Sequence, residues 1–386
     1  MTEVHLFIIW SKGIYQKDRI LKDLSDKFTI CSVYNVAWSK KIFSNNLSRF
    51  YGENLPKNSK KEKHCGTDTF CCVIVKDSGP KYDIRNTNKG LRLVNSNIFD
   101  SKKKYRSWTN GNKIHATDNI EETKLQLALL FSKDYNDYLN HQLYNKKEID
   151  YKEDIAGSKG WKNFNELFDI LNLTCNYVVL RNFENLDEQL NSKHPDVDLL
   201  TDDLNLIIDV LNASRTKVKK YRVQYSVLVS GKKINFDLRH VGDNYYDKKW
   251  QYDILSKKNM HQKNFFVPDN TDLLYSLMYH ALIHKPSISE DYFSQFLILS
   301  KKLNFNLNYN DMTNIKLLDN LLEYMNKNNY DIVEPNDISV FFNDSLIKKR
   351  IFVTSSLKRL RHMNYIYFRS FTKRIVMKIF KKFRFD

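Results

Sequence analysis

Short apolar runs alternate with stretches of helical period along the first third of the chain. Val4–Trp10 and Thr69–Val75 read as strands, and Lys17–Phe28 and Glu121–Phe131 as helices. This predicts an α/β or α+β region ending near residue 140. The polar segment 141–160, closed by Gly157 and Gly160, reads as a linker. Beyond it the pattern predicts an amphipathic helix over 161–172, strands at 176–182 and 194–200, and a helix over 202–213. Residues 221–241 read as two strands turning through Ser230-Gly231, a pair suited to a tight hairpin. From about 255 to 330 the period is helical.

One predicted strand places two acids at a spacing that matters. Asp196 and Asp198 lie two residues apart, so in an extended chain they share a face while Val197 takes the other. The hairpin adds Asp237 on a strand able to lie alongside. Three carboxylates on adjacent strands suit Mg²⁺, with Mn²⁺ as the alternative, and a metal there polarises a phosphoryl group. Asp202, Asp203 and Asp243 read as capping or loop acids, with Asp243 also placed to serve a substrate hydroxyl. His280 and His284, four apart on a helix, read as core or substrate-contacting histidines in preference to zinc ligands. Lys285, beside Pro286, is in reach of a phosphate. Tyr245, Tyr246 and Trp250 either stack on a sugar or base or pack between elements.

The chain has 386 residues, 42% of them hydrophobic, enough for two or three cored domains. Its five cysteines are too irregularly spaced for a disulfide framework or a zinc site and read as reduced thiols. No secretion signal or membrane-spanning run is expected from the apolar pattern. The net charge of +17 is concentrated: residues 346–386 hold thirteen Lys or Arg against one Asp, leaving +5 for the rest. In that tail Phe368, Phe371, Ile375, Ile379 and Phe383 recur every three or four residues with basic residues between them. The pattern suits a helix lying on an anionic membrane surface better than a nucleic-acid interface.

Residues 161–255 resemble the nucleotidyltransferase superfamily: a helix, a strand, the acid-x-acid strand Asp196-Val197-Asp198, and a later acid, Asp237, on a neighbouring strand. The resemblance implies a mixed-sheet fold, metal binding by the three aspartates, and phosphate binding by Arg181 and Arg239. Where the superfamily carries Gly-Gly or Gly-Ser after the first strand, this chain has Arg181-Asn182. Either Arg181 contacts phosphate directly or nucleotide binding has changed or been lost.

Residues 4–132 resemble nucleoside diphosphate kinases through Asn112, His115 and Asp118 ahead of a helix, with Arg85 at the spacing of a phosphate-binding arginine. The implied fold is ferredoxin-like, with His115 as phospho-acceptor and Arg85, Lys102 and Arg106 supplying charge. Trp10-Ser11-Lys12 and Ala116-Thr117 depart from the family's Lys-Pro-Asp and Gly-Ser.

The expectation is therefore an α+β chain. It comprises a ferredoxin-like, nucleoside diphosphate kinase-like domain (1–140), a linker (141–160), a nucleotidyltransferase-fold sheet (161–255), a helical substrate-binding region (256–335) and a basic amphipathic membrane-binding tail (336–386). Its expected activity is Mg²⁺-dependent transfer of a nucleotidyl or phosphate-linked sugar or alditol group, as in the LicD and fukutin-like relatives of the superfamily. The donor would be a nucleotide or nucleotide-linked compound and the acceptor a glycan or lipid-linked molecule in bacterial surface polysaccharide assembly. The expected location is cytoplasmic, peripheral at the inner face of the cell membrane. Two other readings stay open: a nucleoside or sugar-phosphate kinase working through His115, and a non-catalytic nucleic-acid or membrane-binding protein.

Overall fold

The computed structural model describes residues 2–87, 90–140, 147–184, 186–191, 195–217, 219, 222–304, 307 and 313–351. The amphipathic tail from residue 352 onward lies outside them. The fold is mixed α+β, and the described residues build two five-stranded sheets and two short two-stranded ribbons. The chain divides into two compact units. The first holds Met1–Cys175, Asn205–Ala213 and Val227–Lys232; the second holds Asn176–Leu204, Ser214–Ser226 and Lys233–Asp386.

In the first unit the strands are β1 (Glu3–Ile9), β2 (Thr29–Val36), β3 (Phe70–Asp77), β4 (Tyr82–Thr87), β5 (Gly90–Asn95), β6 (Ile114–Ala116) and β7 (Ile149–Tyr151). The helices are α1 (Lys17–Lys27), α2 (Phe43–Tyr51), α3 (Lys60–Cys65), α4 (Ser96–Trp108), α5 (Ile120–Phe131), α6 (Tyr135–Leu139) and α7 (Phe164–Thr174). The sheet order is β6-β1-β3-β2-β7, while β4 and β5 form a separate ribbon. β1 runs antiparallel to both β3 and β6, and β2 is antiparallel to β3. All seven residues of β1 are buried, as expected of an internal strand covered on both faces. Cys71, Val73 and Val75 alternate onto one face of β3 and meet Ile20 and Leu24, one turn apart on α1.

The expected linker is part of this unit. β7 extends the sheet by pairing parallel to β2. Asp154 accepts hydrogen bonds from the Ser39 amide at 2.8 Å and Asn46 Nδ2 at 2.7 Å, and Ile155 is buried. The polar composition of this stretch serves side-chain partners that only folding reveals.

The second sheet contains β8 (Tyr177–Val179), β9 (Asp196–Thr201), β10 (Ser214–Arg215), β11 (Gln224–Val229) and β12 (Lys232–His240) in the order β10-β11-β12-β9-β8. Ser230 and Gly231 join β11 to β12 with φ of +51° and +72°, the left-handed geometry of a tight hairpin turn, which glycine adopts without penalty. β8 is antiparallel to β9, and β12 is parallel to it. Short helices α8 (Leu186–Gln189) and α9 (Leu204–Leu211) flank β9 in sequence. After β12 come α10 (Lys248–Ser256), α11 (Asn270–Ile283), α12 (Glu290–Lys302), α13 (Asn314–Asn328) and α14 (Asp344–Ile347). From Asp272 to Ile283 every α11 residue but Tyr275 is buried, so it is the central helix of this region. No helix of the described residues is long and apolar enough to cross a membrane.

Candidate functional site

Burial on both faces makes β9 an internal strand, and its alternation sorts the acids from the core. Val197, Leu199 and Thr201 point one way; Asp196, Asp198 and Leu200 point the other. The parallel register with β12 sets Asn235 beside Asp196, Asp237 beside Asp198, and Arg239 beside Leu200. Phe236 and Leu238 continue the apolar side and are wholly buried. One sheet face thus carries Asp196, Asp198, Asp237 and Arg239.

β8 brings the next component. The Leu180 amide donates to the Asp198 carbonyl at 2.9 Å, extending the ladder by one residue. Arg181 follows immediately, and its Nη2 donates to Asp198 Oδ1 at 2.7 Å. Both side chains are buried, so this ion pair is shielded from solvent. Asn182 then turns the chain with φ +57°. The left-handed conformation is kept without glycine, since asparagine tolerates it.

Arg239 lies 3.7 Å from Asp237 and 3.9 Å from Asp243, with its guanidinium 4.0 Å above the Tyr245 ring. Asp243, expected as a capping or loop acid, lies in the turn after β12 and is buried. Its Oδ1 accepts from the Tyr245 amide at 2.9 Å and Gln251 Nε2 at 2.7 Å. Tyr245 in turn shares a 2.7 Å hydrogen bond with His280 Nδ1, and its ring lies 4.2 Å from that of His284. The two histidines therefore sit in an aromatic core behind the arginines. Burial, with Arg181 nearby, drives the His280 pKa well below the usual value. Tyr246 and Trp250 are likewise buried against Tyr279, while Lys285 is exposed.

Charge crowding marks the acids as unusual. Desolvation, then the charges of Asp198 and Asp237, raises Asp196 to about 7 despite the nearby arginines. Asp237 is raised by burial and by Asp198. Asp237 Oδ1, Arg181 Nη1 and Arg239 Nε are buried without a hydrogen-bond partner. Among the described residues no group of three or more His, Cys, Asp or Glu side chains is arranged to hold a metal ion. The expected trio is interrupted by Arg181, which occupies Asp198. Asp196 and Asp237 remain, and the orphaned Oδ1 of Asp237 suits a cation that takes one or two carboxylates together with substrate phosphates.

In the first unit, β6 carries His115 opposite Ile8 of β1. His115 Nε2 contacts Gln126 Oε1 at 2.9 Å, and Gln126 Nε2 reaches Glu122 Oε1 at 3.4 Å. Glu122 accepts from the amide side of Gln126, so the amide oxygen faces the ring and selects the Nε2–H tautomer. The ring edges up to Phe50 and Tyr51 at centroid distances of 5.4 and 5.1 Å. Tyr51 accepts from Trp10 Nε1 at 3.1 Å and carries Lys61 Nζ 3.2 Å from its ring centroid. Burial, then Lys102, holds the His115 pKa well below its usual value.

Lys102 and Arg106 stand near His115, as expected, each held by a carbonyl that flanks it, whereas Arg85 and Asn112 are placed differently. Arg106 Nε donates to the Ile114 carbonyl at 2.9 Å, and Lys102 Nζ binds the Ala116 carbonyl at 3.1 Å and the Asp118 carboxylate. Arg85 lies on the β4–β5 ribbon in ion pairs with Asp83 and Asp100, and Asn112 is exposed. Gln126, Tyr51 and Lys61 were not signalled by the sequence pattern. A polar residue at a buried position of the otherwise apolar helix α5 was the available clue to Gln126.

No protein-family model and no curated protein matches the chain.

Proposed function

We propose that the protein is a Mg²⁺-dependent phosphorus-group transferase of nucleotidyltransferase type. It moves a nucleotidyl or phosphate-linked sugar or alditol group from a nucleotide-linked donor to a glycan or lipid-linked acceptor. The observation that carries this reading is the parallel β9–β12 register, which sets Asp198 beside Asp237 with Asp196 two residues along the same face. Carboxylates that oppose one another's ionisation are stabilised by a shared cation. When bound between Asp196 and Asp237, Mg²⁺ would neutralise phosphate charge.

The chain's own groups support the remaining roles. One of the three aspartates draws the proton from the acceptor hydroxyl. The acceptor oxygen then bonds to the donor phosphorus as the bond to the leaving phosphate breaks. Arg181 and Arg239 set two positive charges beside the carboxylates, where they oppose phosphate charge. Asp198 acts as the anchor that fixes Arg181. The strand order β6-β1-β3-β2, antiparallel throughout, supports a ferredoxin-like reading of the first unit. The basic tail supports attachment to an anionic membrane at the cytoplasmic face, and removal of residues 352–386 is expected to abolish sedimentation with phosphatidylserine vesicles.

One observation favours a second reading, phosphoryl transfer through His115. The Glu122–Gln126 arrangement selects protonated Nε2 and so leaves Nδ1 as the nucleophilic nitrogen. Calorimetric titration of Mg²⁺ with nucleotides and nucleotide-linked alditols separates the two. Binding lost in Asp196→Asn supports the transferase, whereas binding lost only in His115→Ala transfers the chemistry to the first unit.

A further inference from the structure

A cavity with charged residues in its lining lies within the same unit as the aspartates. Its volume is about 210 Å³, and its walls include Arg215, Arg222, His240, Asp243, Asn336 and Asp337. A recess of this size takes a small ligand such as a polyol ester.

The lining carries both signs of charge. Arg215 ends β10 and Arg222 precedes β11, so adjoining strands supply two guanidinium groups. Arg222 Nη2 donates to Gln224 Oε1 at 2.9 Å, but its Nε is buried with no partner, as is His240 Nδ1. Asp243 and Asp337 contribute carboxylates, with Asp337 Oδ1 accepting from Ser339 Oγ at 2.5 Å and the Ser339 amide at 3.0 Å. Asn336 ties this wall to the turn after β12, its amide donating to the Asp243 carbonyl at 3.0 Å and its Nδ2 to the Gly242 carbonyl at 3.1 Å.

The cavity adjoins the acid site through Asp243. Asp243 faces Arg239, two residues from Asp237 on β12, and the charge of Asp337 is felt at Asp237. A neutral ligand would leave the Arg222 guanidinium incompletely paired, and a bare phosphate would face two carboxylates with nothing to donate to both. A molecule with a phosphate at one end and hydroxyls at the other satisfies both walls.

We propose that this cavity binds a small phosphorylated polyol, with its phosphate on Arg215 and Arg222 and its hydroxyls toward Asp243 and Asp337. The proposal rests on the transferase reading for its role: the ligand is the acceptor, or the acceptor's terminal unit, presenting a hydroxyl toward Asp237. Its binding chemistry stands independently of that role.

The test is calorimetry on the full-length protein with sn-glycerol 3-phosphate, inorganic phosphate and glycerol. Glycerol 3-phosphate is expected to bind at least tenfold more tightly than phosphate, and glycerol not to bind. Arg215→Gln and Arg222→Gln are each expected to weaken glycerol 3-phosphate tenfold or more, and His240→Ala to weaken it less, with circular dichroism unchanged. Asp196→Asn is expected to retain that affinity while losing Mg²⁺-nucleotide binding. Absence of glycerol 3-phosphate binding to the wild type, or unchanged affinity in both arginine variants, overturns the cavity assignment. Mg²⁺-nucleotide binding that survives Asp196→Asn overturns the transferase reading and leaves the cavity result intact.

Discussion

Arg181 and Asp198 form a buried ion pair, Nη2 to Oδ1 at 2.7 Å, at the point where β8 leaves the sheet. Desolvation opposes the guanidinium charge, but Asp198 and the surrounding tyrosines hold its pKa well above the usual value. The pair is therefore a fixed charge anchor inside the proposed site.

Breaking it from either side strands a buried charge. Arg181→Met and Asp198→Leu are each expected to cost about 3–5 kcal/mol. The double variant should recover much of that loss, because two apolar side chains need no partner. Urea denaturation of the three proteins checks this; additive losses would show that the two residues act independently.

Asp196 gives a pH signature of opposite sign to an ordinary paired carboxylate. Its pKa is about 7 in the folded chain against 3.8 for the free group, so the folded state holds the proton more tightly. Stability should fall as pH rises from about 4 to 7 and level off above that. Asp196→Asn should flatten this slope, and Mg²⁺ should stabilise the wild type more at pH 8 than at pH 5.5. Thermal midpoints across that range, with and without metal, test both statements.

How much of this was readable beforehand follows from the range of each interaction. The face shared by Asp196 and Asp198 is a property of two-residue alternation, and the Ser230-Gly231 turn follows from local backbone preference. The register that places Asp237 opposite Asp198 rather than Asp196 is not local, nor is the capture of Asp198 by a residue 17 positions away. β7 escaped notice because three residues inside a charged stretch carry no periodicity, and only the open edge of β2 makes them a strand. The loop position of Asp243 follows from the Gly-Asp-Asn sequence, but its burial depends on Gln251, eight residues on, folding over it. Arg215 and Arg222 lie where no apolar pattern marks a site, so their convergence emerges only from the sheet order.

His115 should be neutral, with the proton on Nε2, at pH 6.5, where a free imidazole is half charged. Its folded pKa is well below 6.5, chiefly through burial, so its contribution to stability is complete above 6.5 and is lost as pH falls toward the folded value. Nitrogen-15 spectra of the imidazole report both tautomer and charge. Gln126→Leu removes the acceptor 2.9 Å from Nε2 and should destabilise by about 1–3 kcal/mol while releasing the tautomer preference. A fixed Nε2–H signal in that variant would show that another group sets the tautomer.

Arg49 shows what a guanidinium contributes that a positive charge alone does not. It is buried in the first unit, where Nε and Nη2 donate at 2.6 Å to the carbonyls of Asp209 and Val210, and Nη1 donates at 3.0 Å to Ser158 Oγ. Those carbonyls fall in the last turn of α9, where the Asp209 carbonyl also accepts from the Asn212 amide at 3.2 Å. Arg49→Lys keeps the charge but cannot span the fork. Loss of the bond to the Val210 carbonyl is expected to cost about 1–3 kcal/mol, so the lysine variant should lose nearly as much urea stability as Arg49→Met. A lysine variant as stable as the wild type would mean that charge, rather than three directed hydrogen bonds, holds this helix end in place.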